Sequence, residues 1–179
     1  GLAQAIIQLS RKGKKIIGIC GGYQMLGETV LDNQAIKDET KTYVTLGLLP
    51  IETVLVDEKQ TTVVKGTNYA GQEMTGFELH LGRSTPTRPI QSFICLDNGR
   101  QDGVYTDQVM GTYLHGVFQN RMFTRNYFNQ IRVEKGLEEV SSEILSDYER
   151  REQAYEMLDH HVRKHLNMEK VYELLDEST

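Results

Sequence analysis

Cys20 is the side chain in this sequence best placed to do chemistry, because it sits in Gly18-Ile19-Cys20-Gly21-Gly22. Glycine two before and two after a nucleophile is the spacing of a nucleophile elbow. A thiol at the tip of a sharp strand-to-helix turn is held in a strained backbone, and the glycines leave room for the turn to close. The thiol then faces backbone N–H groups that lower its pKa and can stabilise an oxyanion. The N–H of Gly21 is the obvious donor, and one such donor contributes about 3–4 kcal/mol to catalysis. Taken alone, the five residues also fit a cysteine buried in a packing or phosphate-binding turn. The second cysteine, Cys95, lies in the apolar run Ser92-Phe93-Ile94-Cys95-Leu96 and reads as a small buried strand residue. Two cysteines in a chain of this length are no disulfide framework, which fits a reducing cytoplasm.

A thiol nucleophile needs a base within hydrogen-bond reach. The candidates are His80, His115, His160, His161 and His165. His115 ends an apolar strand-like run and meets Gly116, so it can project from a sheet edge toward the elbow. His80 lies two residues from Glu78, which puts both on one face of a strand. His80 reads as a hydrogen-bonded residue shaping the wall of the site, and Glu78 as a candidate to orient His115 from a neighbouring strand. His161 and His165 have the spacing of a metal pair on a helix. No carboxylate or cysteine motif completes such a site, so a partly buried helix face is expected and no metal.

The elements around these residues follow from periodicity. Leu2, Ala5, Ile6 and Leu9 predict an amphipathic helix over residues 2–12, stopped by Lys12-Gly13-Lys14. Residues 15–19 form a short apolar run, the mark of a strand buried in a parallel sheet, and lead straight into the elbow. Helix, buried strand, glycine turn and helix make an α/β unit. Residues 31–45 are polar and read as an exposed loop. Period-two runs then predict strands over 51–56, 61–65, 74–81, 91–97 and 109–115. Phe123, Tyr127, Phe128 and Ile131 line one side of a following helix. A later helix carries Ala154, Met157, Leu158, Val162 and Leu166 on one stripe, and 168–175 predicts a last short helix.

Longer strings around these residues resemble a known family. Gly18-Ile19-Cys20-Gly21-Gly22-Tyr23-Gln24 resembles the G-x-C-x-G-x-Q signature of triad-type (class I) glutamine amidotransferases. Gly18 to Gly27 is similar, more particularly, to the cobyric acid synthase group of that family. So are Gly76-Phe77-Glu78-Leu79-His80-Leu81-Gly82 and Gly111-Thr112-Tyr113-Leu114-His115-Gly116-Val117-Phe118. The resemblance implies a class I glutamine amidotransferase (flavodoxin-like) α/β fold, with a mixed, mostly parallel central sheet and flanking helices. It implies Cys20 as nucleophile, His115 as base, and Gly21 and Gln24 as residues that bind glutamine. Most triad enzymes place a glutamate two residues after the histidine. Here that position is Val117, a departure that the cobyric acid synthase group resembles, so a Cys–His dyad is expected.

The resemblance also implies a partner. Ammonia from glutamine would reach an ATP-dependent synthetase domain that amidates corrinoid carboxylates. No Gly-Lys-Ser/Thr phosphate loop is present, so ATP and Mg²⁺ are expected in that domain and no cofactor in this one. Residues 1–179 are read as a single glutamine amidotransferase domain whose N-terminal part is missing, since Gly1-Leu2-Ala3 reads as the middle of a domain. Other readings stay open: another acceptor (that of a cobyrinic acid diamide synthase or of a cell-wall amidating complex), a catalytically inactive docking module, or a cysteine hydrolase of similar architecture.

Bulk properties bound the rest. The chain is 39% hydrophobic, enough for a real core, and its 20 basic against 25 acidic side chains leave a net charge of −5. A mildly acidic protein has no general electrostatic reason to hold nucleic acid or an anionic membrane. No apolar run approaches the length that spans a bilayer.

Overall fold

The first helix, α1 (Leu2–Arg11), follows the expected apolar spacing and stops where Gly13 takes a left-handed conformation at φ +71°. That turn lets the Lys14 N–H reach back to the Leu9 carbonyl at 3.0 Å. In the computed structural model, residues 1–33, 41–140 and 147–176 are described. They divide into two units, Gly1–Ile131 and Arg132–Thr179.

In the first unit the chain runs from α1 into β1 (Ile16–Ile19), α2 (Gly21–Leu26), β2 (Thr29–Asp32), β3 (Lys41–Val44), β4 (Ile51–Asn68) and β5 (Glu73–Pro86). The short strands β6 (Ile94–Leu96), β7 (Gln101–Asp102) and β8 (Val104–Tyr105) come next. Then follow β9 (Val109–Thr112), β10 (Leu114–His115), a 3₁₀ turn (Val117–Gln119) and α3 (Arg121–Glu134), whose last turn belongs to the second unit. Two sheets result. One has the order β1-β9-β8, and the other runs β10-β5-β4-β2-β3, with β6 and β7 added beside β4. In the first, β1 lies parallel to β9 in the register Ile16↔Val109 to Ile19↔Thr112.

The sheets are mixed, as expected, and β1–β9 and β2–β4 are the parallel pairs among the described strands. The antiparallel share is larger than the sequence suggested, because 51–56 and 61–65 are not separate strands. They merge into β4, which pairs with β5 as one long hairpin with a register shift between Leu55 and Gln60. Part of the expected loop 31–45 is strand: β3 pairs antiparallel with β2, while residues 34–40 lie outside the described residues. The run 91–97 shrinks to β6, where alternation buries Ile94 and Leu96 and turns Cys95 outward. Cys95 is therefore exposed, not buried.

Two apolar clusters hold this unit together. Met74, Phe93, Ile94, Met110, Leu114 and Phe123 anchor one, and Tyr23, Leu26, Leu49, Ile51, Val104 and Tyr113 the other. Residues from β1 and β9 enter both, α2 packs into the second and β10 into the first, so the elbow and the strand bearing His115 are fixed by packed layers.

The second unit holds α4 (Asp147–His165) and α5 (Met168–Asp176). The apolar stripe of α4 is largely open: Met157 is 75% exposed and Leu158 59%, while Val162 is half-buried. His160, His161 and His165 are exposed as well, which corrects the expected partly buried face.

Candidate active site

Cys20 stands between β1 and α2 with φ 55° and ψ −117°. Among the described residues it is the one non-glycine with positive φ. A side chain held there costs about 1–3 kcal/mol and persists only when its surroundings over-determine it. They do so here. The Cys20 N–H donates to the Thr112 carbonyl at 2.9 Å, which continues the β1–β9 pairing one residue past Ile19. Its carbonyl accepts from the Gln24 N–H at 3.2 Å as α2 begins, and its thiol points to the Leu79 carbonyl at 3.3 Å.

Gly18 is required by space. A Cβ on it would lie 2.6 Å from Leu26 Cδ1 and 2.7 Å from the Gly22 backbone. Gly22, which the sequence pairs with Gly18, is different, for its own Cβ would meet nothing within 4 Å. Steric room therefore explains the glycine before the nucleophile and not the one after it.

β5 brings the other residues to the elbow. β10 pairs along its edge as Leu114↔Glu78 and His115↔Phe77. Further along β5, past its pairing with Leu114, lies the elbow: Cys20 meets Leu79, and Gln24 lies against Gly82, whose hypothetical Cβ would be 2.3 Å from Gln24 Nε2. Cys20 and His115 thus approach one strand two residues apart, about 7 Å of extended chain. They are not hydrogen-bonded to each other. His115 Nε2 is buried without a partner, and its ring stacks on Phe77 with centroids 4.9 Å apart.

Glu78 does not orient His115. It is 4% exposed and pairs through Oε2 with the Arg100 guanidinium. Registry with Leu114 puts Glu78 on the opposite face of β5 from His115, because residues paired across strands share a face and consecutive ones alternate. His80 shares the Glu78 face, stacks on Tyr113 with centroids 3.8 Å apart, and contacts the Gly82 carbonyl through Nδ1 at 2.6 Å. Both line a cavity of about 450 Å³ with Ser84, Arg100, Asp102 and Tyr113.

Gln24 is engaged as well. Its Nε2 donates to the Tyr113 hydroxyl at 3.2 Å, which in turn meets Ser84 Oγ at 2.7 Å; Ser84 Oγ lies 2.7 Å from Thr53 Oγ1. Burial raises the Tyr113 pKa, so the phenol stays protonated and able to donate along this relay.

Asp102 is a residue that sequence reasoning missed. It is 5% exposed, accepts from Thr112 Oγ1 at 2.5 Å and from the Tyr113 N–H at 3.1 Å. Thr112 Oγ1 accepts in turn from the Leu114 N–H at 3.0 Å. These bonds satisfy the backbone at Tyr113, where the expected strand 109–115 breaks and passes from one sheet to the other. Burial lifts the Asp102 carboxyl above its ordinary range, against the Thr112 bond, which lowers it. Its neighbours Arg100-Gln101-Asp102-Gly103 read as a turn, and nothing in their spacing points at His115.

Among the described residues no cluster of three or more histidine, cysteine or acidic side chains gathers to hold a metal ion, and no helix is long and apolar enough to cross a membrane.

This arrangement has known relatives. Residues 1–123 match the CobB/CobQ-like glutamine amidotransferase domain. Cobyric acid synthase of Streptococcus sanguinis (strain SK36) is 37% identical over 98% of this chain and 37% of its own length. That of Limosilactobacillus reuteri (strain DSM 20016) is 38% identical over 100% of this chain and 37% of its own. The chain therefore spans little more than a third of these relatives. A crystallised glutamine amidotransferase superposes with a TM-score of 0.49 at 14% identity, over 73% of this chain and 68% of that one, too slight a likeness to add weight. On the family match and the glycine-framed elbow together, the chain belongs to the CobB/CobQ-like glutamine amidotransferase domain family.

Proposed function

We propose that this chain releases ammonia from the side-chain amide of glutamine, with Cys20 as nucleophile and His115 as proton carrier. The observation that carries this reading is the strained, glycine-framed conformation of Cys20, φ 55° and ψ −117°, at the edge of the strand that also pairs with His115. His115 takes the Cys20 proton, the thiolate attacks the amide carbon, and the Gly21 N–H next to it supports the oxyanion. As the tetrahedral intermediate collapses, the C–N bond breaks and His115 gives its proton to the leaving nitrogen. A glutamyl thioester and ammonia result. Water then adds to the thioester, His115 takes a proton from it, and the proton returns to sulfur as glutamate leaves. Gln24 holds the substrate once it turns from Tyr113. The unpartnered His115 Nε2 supports a role that begins when substrate arrives, since catalytic hydrogen bonds often tighten only then.

The relatives of which this chain covers about a third are cobyric acid synthases. By that likeness the ammonia serves an ATP- and Mg²⁺-dependent ligase that amidates corrinoid carboxylates in the cytoplasm, and the chain needs no cofactor of its own. A diazo-ketone analogue of glutamine tests the chemistry. Expected is labelling confined to Cys20, blocked by excess glutamine and slowed at least a hundredfold in His115→Ala. Label on Cys95 alone, or equal rates with and without glutamine, would sink the reading.

A further inference from the structure

The chain crosses between the two sheets at two neighbouring places. At Gly103 it leaves β7, which pairs with β6 in the larger sheet, and enters β8, which pairs with β9 in the smaller one. At Tyr113 it returns from β9 to β10. Gly103 has φ +70°, and a Cβ on it would run into the Gly111 carbonyl and lie 3.0 Å from Thr112 Cβ. Only glycine lets the first crossing press so closely against the second. That approach brings the Asp102 carboxylate onto Thr112 and Tyr113. Three groups of the site hang from the same two residues. The Thr112 carbonyl accepts from the Cys20 N–H at 2.9 Å, and the Tyr113 hydroxyl accepts from Gln24 Nε2 at 3.2 Å. Thr112 Oγ1 accepts from the Leu114 N–H at 3.0 Å, one residue before His115. Asp102 holds both residues, through the Thr112 hydroxyl at 2.5 Å and the Tyr113 N–H at 3.1 Å. Asp102, Thr112, Tyr113 and Leu114 are all buried, so each bond broken leaves a polar group unsatisfied.

We infer that Asp102 and Thr112 are positioning residues, a buried clamp that fixes the turn bearing the nucleophile and the strand bearing the base relative to each other. The inference deepens the glutaminase reading above and rests on it. The hydrogen bonds of the two side chains go to each other and to backbone, so they act through the placement of Cys20 and His115. Placement matters here because Cys20 and His115 approach β5 two residues apart, held by backbone and not by a bond to each other. A misplacement of about 1 Å lowers a rate by as much as about a hundredfold.

The test is the rate at which a saturating diazo-ketone analogue of glutamine labels Cys20 in the whole chain. Thr112→Val keeps the shape of the side chain and removes its hydroxyl. Expected is a loss of about tenfold or more, restored to within about threefold of wild type in Thr112→Ser. Asp102→Ala cuts the clamp from its other end and should lose as much as Thr112→Val. The decisive readout is the double variant. A clamp that works by placing His115 has nothing left to place in His115→Ala, so adding Thr112→Val there should change labelling less than about twofold. Equal slowing in both backgrounds, or no restoration by serine, would show a general structural role and overturn the inference. Glutamine protection and the effect of His115→Ala alone report on the glutaminase reading, whose failure takes the inference with it. A wild type that is labelled and protected, yet indifferent to Thr112→Val, sinks the clamp alone. Deuterium exchange of the unaltered chain decides the matter even if the variants do not fold. The Tyr113 and Leu114 amides should exchange about a hundredfold or more slower than in a free peptide, and fast exchange at either would overturn the clamp.

Discussion

At the scale of single residues, the elbow is a problem of space and strain. Gly18→Ala would press a methyl group against Leu26 and the Gly22 backbone, and overpacking of this kind costs about 1–3 kcal/mol. Urea unfolding of that variant should show the loss, and Gly22→Ala, whose Cβ meets open space, should cost less than half as much. Comparable losses would mean that Gly22 is constrained in a way its surroundings do not reveal. Val117 explains the departure from a full triad. It is 1% exposed inside an apolar cluster, so a carboxylate there would be buried without a partner. Tyr113→Phe should destabilise the chain by about 1–3 kcal/mol, because it strips the hydroxyl that Gln24 and Ser84 both use. Thermal unfolding reads it, and a neutral result would show that water substitutes for the phenol.

At the scale of elements, the decisive feature is the break between β9 and β10. It carries the chain from the sheet that holds Cys20 to the strand that meets His115, and Asp102 satisfies the backbone where the pairing stops. The folded chain keeps the Asp102 proton at pH values where the unfolded chain has released it. Its contribution to stability is therefore full at low pH and declines as pH rises from about 4 through the raised pKa. Asp102→Asn keeps an acceptor and removes the titration, so its unfolding free energy should lack that decline. A parallel pH dependence in both proteins would mean that another group is responsible. The hairpin β4–β5 and the break at Tyr113 were poorly legible in the sequence for a shared reason. Periodicity marks which residues can be strand, but whether two runs merge or one divides depends on the partners across the sheet.

At the scale of the whole molecule, the site residues Cys20, Gln24, Glu78, His80, Asp102 and His115 all lie in the first unit, which ends at Ile131. The family match stops at residue 123. A chain ended after Ile131 retains Phe123 and Tyr127, both packed in the core, and should label at Cys20 within about twofold of the full chain. A collapse of labelling in a truncated chain that still unfolds cooperatively would show that residues 132–179 support the site.

The sequence by itself determined that a cysteine sits at an elbow, that a histidine ends a later strand, and that the three glycine-bearing strings belong to one family. These are local facts, written in spacing and residue type. Only the tertiary structure decided that Glu78 faces Arg100 and not His115, that Gln24 rests on Tyr113, and that Asp102 holds the β9–β10 break. It also decided that Cys95 and the α4 histidines are exposed. The physical reason is that hydrogen-bond partners and burial depend on which face of a strand or helix is covered, and that is settled by elements far away in the chain.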